Sequence, residues 1–163
     1  SSDLTWEPPQ RVQSVDKQPE DDWQVPWHEV DARVRNVLDH YDCIKLVADP
    51  TSRRDIISKW YADYEDVVEE FWFSNRAKYS RACLQFENQV DARRIKWEDP
   101  LLSFHVLNAH KEEVPGGYII RKDTPFSTHW IAAAQAAVLA VEAAALAIQD
   151  GALSESDHFV YTY

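Results

Sequence analysis

The chain has 163 residues, a formal net charge of −11, 45% hydrophobic and 28% charged residues, and seven Trp beside seven Tyr. Such a composition belongs to one folded domain, or part of one, with a sizeable core, and it excludes a disordered chain. The acidic balance excludes a protein coated in phosphate-binding residues, so any contact with DNA has to be local.

Residues 1–26 hold four prolines among acidic and amide residues, with Leu4-Thr5-Trp6 the only hint of a strand, and read as an extended N-terminal arm. No apolar run stands there, so no secretory signal is expected, and the lack of any Met implies a lost initiator or a fragment. After Pro26, Val30, Val34, Val37, Leu38 and Tyr41 recur at helical spacing, which predicts an amphipathic helix over Trp27–Tyr41. Ile44 to Ala48 is a short apolar run closed by Asp49-Pro50, the pattern of a buried strand ended by a turn.

A second helix is expected over Arg53–Tyr64, with Ile56, Ile57, Trp60, Tyr61 and Tyr64 on one stripe, and a second strand over Val67–Trp72. Strand, helix and strand in that order make a parallel crossover unit and give the fold class as α/β. Ser74 is suited to cap a third helix over Asn75–Val90, with Tyr79, Ala82, Cys83, Phe86 and Val90 inward. Arg93 to Trp97 reads as a short strand or turn, Pro100–Ala109 as a helix, and Gly116-Gly117 as a turn into the strand Tyr118-Ile119-Ile120. The last helix is expected over Thr128–Gln149, ended by Gly151. Its apolar stretch is mostly alanine and contains Gln135 and Glu142, so it reads as a soluble helix and no membrane contact is expected. The main domain thus runs over 27–150 and a tail over 151–163.

Cys43 and Cys83 show neither a Cys-x-x-Cys spacing nor a His partner, and read as reduced, buried thiols of a cytosolic protein. With Gly116, Gly117 and Gly151 the only glycines, a phosphate-cradling loop is excluded, and with it an ATPase reading of this segment; Gly-x-Ser-x-Gly is absent as well.

Asp49 stands out because a carboxylate at the carboxyl end of a buried strand lies where α/β folds place ligands, and its oxygens suit Mg2+ or Mn2+. The alternative is that Asp49-Pro50 opens a turn and caps the next helix. Nine cations fall into two groups, Arg53, Arg54 and Lys59, then Arg76, Lys78, Arg81, Arg93, Arg94 and Lys96. They suit either a phosphate-tracking face or a solvated surface paired with Asp and Glu. Trp60, Trp72, Trp97 and Tyr79 lie at core spacings and read as packing residues. His105 and Asn108, three apart on one helical face, make either a shared polar site or a capping feature.

Taken in order, Trp6-Glu7-Pro8-Pro9, Val25-Pro26 with Glu29-Val30-Asp31-Ala32, Val47-Ala48-Asp49-Pro50, Ser74-Asn75-Arg76, His105-Val106-Leu107-Asn108-Ala109, Gly116 to Lys122 and Ser127 to Ala140 resemble the C-terminal nuclease domain of a bacteriophage terminase large subunit of the actinobacterial phage type. The resemblance implies an RNase H-like fold that cuts concatemeric DNA during genome packaging. Divalent ions held by about three acids would activate water and stabilise the leaving oxygen. On that resemblance Asp49 matches the strand-end acid, as metal ligand and catalytic residue. Arg76 and Lys122 match usually basic positions and join Arg53, Arg54, Lys78 and Arg81 as expected DNA contacts.

Two departures accompany the resemblance. The family's leading acid lies on a first strand upstream of Leu4, so the fold lacks its opening strands here. The late acid falls at Ala132, within Ser127-Thr128-His129-Trp130-Ile131-Ala132, and an alanine offers no oxygen to a metal; His129 or Asp123 are the available substitutes. Binding of Mg2+ or Mn2+ by this chain alone is therefore expected to be weak and cleavage little or none. The implied partners are double-stranded DNA, a portal, a small terminase subunit or a chain supplying the missing strands, in the cytoplasm of a bacterial host. A catalytically silent nuclease remnant that binds DNA or packaging-motor proteins is the alternative, and an α/β domain that contacts only protein is a third reading.

Overall fold

The computed structural model describes residues 24–154. The expectations for the arm up to Trp23 and for the tail beyond Ser154 lie outside those residues. The chain divides into two units, one up to Asp42 and one from Cys43. In the first, α1 (Trp27–His40) follows Pro26 and carries the i,i+4 pair Asp31 and Arg35, with Nε donating to Oδ1 at 3.1 Å. Val30, Val34, Val37 and Leu38 are half-buried.

The second unit opens with the expected crossover. β1 (Leu46–Ala48), α2 (Arg54–Asp63) and β2 (Val68–Glu70) follow in order, and β1 pairs with β2 in parallel, Leu46 opposite Val68 and Ala48 opposite Glu70. Ile57 and Trp60 of α2 are buried, whereas Tyr61, expected on the same stripe, is 42% exposed. α3 (Arg76–Asp91) is capped by Asn75 and not by Ser74: Asn75 Oδ1 accepts from the Lys78 N–H at 3.1 Å. Tyr79, Ala82 and Cys83 face inward and are buried, with Phe86 and Val90 half-buried.

After α3 the chain turns through Arg93, whose φ of 56° is left-handed, and Arg93 to Trp97 forms no strand. α4 (Pro100–Asn108) starts as its sequence dictates, with Pro100 in the first turn and Asp99 Oδ1 accepting from the Leu101 N–H at 2.7 Å. β3 (His110–Val114) and β4 (Gly117–Arg121) form an antiparallel hairpin about the Gly116-Gly117 turn. β3 is absent from the pattern reading because His-Lys-Glu-Glu-Val is mostly polar and lies on the solvent side of the hairpin. α5 (Ala132–Gln149) starts four residues later than expected and ends before Gly151, whose φ of 75° closes the helix. By length and composition α5 could cross a membrane; in this fold it packs against α3, α4 and β1.

The described chain is thus a mixed α/β protein with five helices and two two-stranded sheets. Its core joins Phe71, Tyr79, Ala82, Cys83, Ile119, Val138 and Leu139, with Phe71, Phe73 and Tyr79 in mutual edge-on or tilted contact. Cys83 is a buried thiol, but Cys43, expected to be buried, is half-buried because it precedes β1 in an irregular segment, where its Sγ donates to the Lys45 carbonyl at 3.7 Å.

Candidate functional site

Strand alternation explains where Asp49 goes. Lys45, Val47 and Asp49 lean to one side of β1, where Val47 packs on the core and Lys45 meets Asp150 at the carboxyl end of α5, Nζ to Oδ2 at 2.9 Å. The carboxyl end of α5 therefore lies beside the start of β1. Ala48 and Glu70 take the other side, where Glu70 Oε1 accepts from Ser58 of α2 at 3.2 Å. Glu70, paired with Ala48 just before Asp49, does not join that carboxylate.

Asp49 forms the turn that one reading of the sequence anticipates. Its Oδ1 accepts from the Thr51 N–H at 3.2 Å and from Thr51 Oγ1 at 2.6 Å, over a buried Pro50. Within electrostatic reach of Asp49 lies Tyr79 of α3, whose hydroxyl donates to the Ile120 carbonyl at 3.0 Å and accepts from Gln135 Nε2 at 3.3 Å. Burial pushes the Tyr79 phenol well above its ordinary pKa, and the charge of Asp49 adds to that rise. Gln135 was not among the residues singled out from the sequence. It lies three positions after Ala132, the spacing that places two residues on one helical face. Ala132 itself is exposed at the start of α5.

A pair of divalent ions does not fit these residues. Among the described residues no group of three His, Cys, Asp or Glu stands close enough to hold an ion. Asp123 and His129 do meet, Oδ2 to Nδ1 at 3.3 Å, but Asp123 also accepts from the Thr124 N–H at 2.9 Å, so the pair closes its own loop. The Ser127 hydroxyl is the main cause holding the Asp123 carboxyl below its usual range, and His129 adds to it.

The expected cations are mostly engaged. Arg53 grips Asp55 at 2.8 Å and holds that carboxyl down to about 2. Arg54 lies over Trp72 at 5.6 Å and Lys78 over Phe71 at 4.8 Å, both cation–π contacts. Arg76 and Arg121 converge on Glu112, the latter at 2.8 Å, and the Arg76 bond chiefly lowers the Glu112 pKa. Lys122 lies 4.1 Å from the centre of Trp130 and donates to the Ser127 carbonyl at 3.3 Å. Arg81 is exposed on α3. Of these cations, Arg76 alone is brought by an ion pair to the β3–β4 hairpin, one residue from Lys122 at Arg121.

His105 and Asn108 prove to be a capping feature. From α4 they reach the start of α5, His105 Nδ1 accepting from the Ala133 N–H at 2.8 Å and Asn108 Nδ2 donating to the Trp130 carbonyl at 3.1 Å.

No family model matches this chain, and no solved structure does. It is 32% identical over 131 residues to the Gene 13 protein of Mycobacterium phage L5, in a match covering 72% of this chain and 22% of that protein. The chain is related to a bacteriophage protein. It spans about a fifth of the length of that mycobacteriophage relative, and the relation implies a bacterial host.

Proposed function

We propose that this chain is the nuclease-domain portion of a phage terminase large subunit, RNase H-like in fold, which serves genome packaging without cutting DNA by itself. One observation carries the reading. The parallel β1–α2–β2 unit delivers Asp49 to its carboxyl end, and Gln135, three residues after Ala132 in α5, bonds to Tyr79, which lies within electrostatic reach of Asp49. In the family the position matching Ala132 carries an acid. On this reading the chain keeps the frame of a metal-dependent nuclease with Asp49, while position 132 offers no oxygen to Mg2+ or Mn2+.

The relation to a mycobacteriophage protein supports the phage setting, in the host cytoplasm. Double-stranded DNA is the proposed substrate of the whole assembly, with a portal, a small terminase subunit or a chain supplying the opening strands as the proposed protein partners. The second reading is a silent module that binds DNA or motor proteins; the internal pairing of Arg53 with Asp55 and Arg76 with Glu112 favours its protein-binding form.

Calorimetric titration of the chain with Mn2+, beside Ala132→Asp, tests the proposal. The natural chain should bind weakly, and the added carboxylate should tighten binding roughly tenfold or more, since affinity follows the ligand charge count. Supercoiled plasmid should stay intact with the natural chain. Nicking that persists in Asp49→Ala would remove Asp49 from the site, and an Mn2+ affinity unchanged in Ala132→Asp would remove position 132.

A further inference from the structure

α5 begins without a cap of its own. Ile131 occupies its N-cap and offers no side-chain acceptor, although the first turn of an α-helix presents backbone N–H groups that need partners. The acceptor comes from another helix, through the bond from the Ala133 N–H to His105 Nδ1. Asn108, on the same face of α4, holds the Trp130 carbonyl. The two side chains thus grip the chain on either side of position 132. His105 is 8% exposed, and with Nδ1 accepting, its imidazole is neutral and carries its proton on Nε2.

We infer that His105 and Asn108 are positioning residues that lock the first turn of α5, and that the lock holds only while the imidazole is neutral. A protonated ring would set Nδ1–H against the Ala133 N–H and place a cation at the positive end of the helix dipole. Both interactions are repulsive.

The surrounding charges are few. Asp99 at the head of α4 favours the cation, the Asp123 and His129 pair lies in the segment leading into α5, and the facing turn Ile131–Gln135 carries no charge. Burial pushes the His105 pKa down, with Asp99 opposing. The unfolded chain therefore takes up the proton more readily. The stability contributed by the lock is complete above about pH 6.5, the ordinary His value, and is lost as pH falls through the lower folded value. What the lock means for position 132 rests on the terminase reading; the lock itself does not.

Nuclear magnetic resonance of the 15N-labelled chain, free of metal and DNA, tests the inference between about pH 7.5 and about pH 4. The Ala133 amide and the Asn108 side-chain amide should move together with the His105 ring, at a midpoint below its ordinary value. Exchange protection of Ala133 should fall roughly tenfold or more across that titration. In His105→Asn, Oδ1 takes the place of Nδ1, so protection stays and this pH response disappears. In His105→Phe, protection of Ala133 is lost at every pH while Ala82 of α3 stays protected. A proton found on Nδ1 at neutral pH, an Ala133 amide indifferent to His105 titration, or a His105→Asn chain that keeps the response overturns the inference. None of these readouts involves metal or DNA, so the failure of the terminase reading is distinguishable from the failure of the lock.

Discussion

Lys45 Nζ stands 2.9 Å from Asp150 Oδ2 and 3.5 Å from Glu69 Oε1, and it donates to the Asp66 carbonyl at 3.0 Å. One ammonium with three donors thereby ties the start of β1 to the end of α5 and to the segment before β2. Its side chain is 9% exposed, whereas Asp150 and Glu69 keep 52% and 40% exposure, so water reaches these bonds from the carboxylate side.

Lys45→Met keeps the apolar stem and removes the amine. It should cost about 1 kcal/mol, since solvent screens the pairs with the half-exposed Asp150 and Glu69, read from urea unfolding at neutral pH. The bond to Asp150 is the chief cause that raises the Lys45 pKa, so the ammonium's contribution is complete below the ordinary Lys value. It is lost as pH rises through the higher folded value, and the gap between the two proteins should close only above about pH 10.5.

Asp49 has a structural task that can be separated from metal binding. Asp49→Asn retains an Oδ1 acceptor for Thr51 and should stay within about 0.5 kcal/mol of the natural chain, whereas Asp49→Ala loses both turn bonds and should cost about 1 kcal/mol. Equal destabilisation by the two substitutions in urea unfolding would contradict the role of the turn.

Gly117 is held against α3. A Cβ there would meet Ser80 Oγ at 2.7 Å and Leu84 Cδ1 at 2.8 Å, at a φ of +154° that side chains rarely adopt. Gly117→Ala should cost roughly 2 kcal/mol or more through overpacking and backbone strain. The Ser80 hydroxyl is buried and has no hydrogen-bond partner among the described residues. Ser80→Ala should therefore be neutral or stabilising, and should relieve part of the Gly117→Ala penalty in a double-mutant cycle.

The two thiols should differ sharply in reactivity. Burial pushes Cys83 up to about 11, which leaves little thiolate and no access, whereas Cys43 is half-buried. Iodoacetamide at mildly alkaline pH should add a single label to the native chain, at Cys43, and a second only after unfolding; intact mass and peptide mapping read both.

The crossover was legible because the apolar runs around Val47 and Val68 and the stripe through Ile57 and Trp60 have the right periods, and Asp49-Pro50 punctuates them. The α5 boundary was not. Its first turn is fixed by side chains of α4, a long-range event that local propensity cannot register, so Thr128 looked as good a start as Ala132. β3 was missed for a related reason: Lys111 and Glu112 find their partners in Glu87, Arg76 and Arg121, remote in sequence. At the site, the spacing marked Asp49 and the pair His105 and Asn108, but Tyr79 read only as packing, and its bonds to Ile120 and Gln135 arise from three elements meeting.

The pairing of cations with the chain's own carboxylates has a consequence for ionic strength. A phosphate that approaches Arg76 must compete with Glu112, and one that approaches Arg53 must compete with Asp55. Displacing a tethered carboxylate leaves its charge beside the incoming polyanion, so each such contact neutralises less than one phosphate. Fewer counterions then leave the DNA. Binding to DNA, measured as log K against log salt, should accordingly fall with a slope well below the roughly 0.9 per basic residue that an unpaired cation would give.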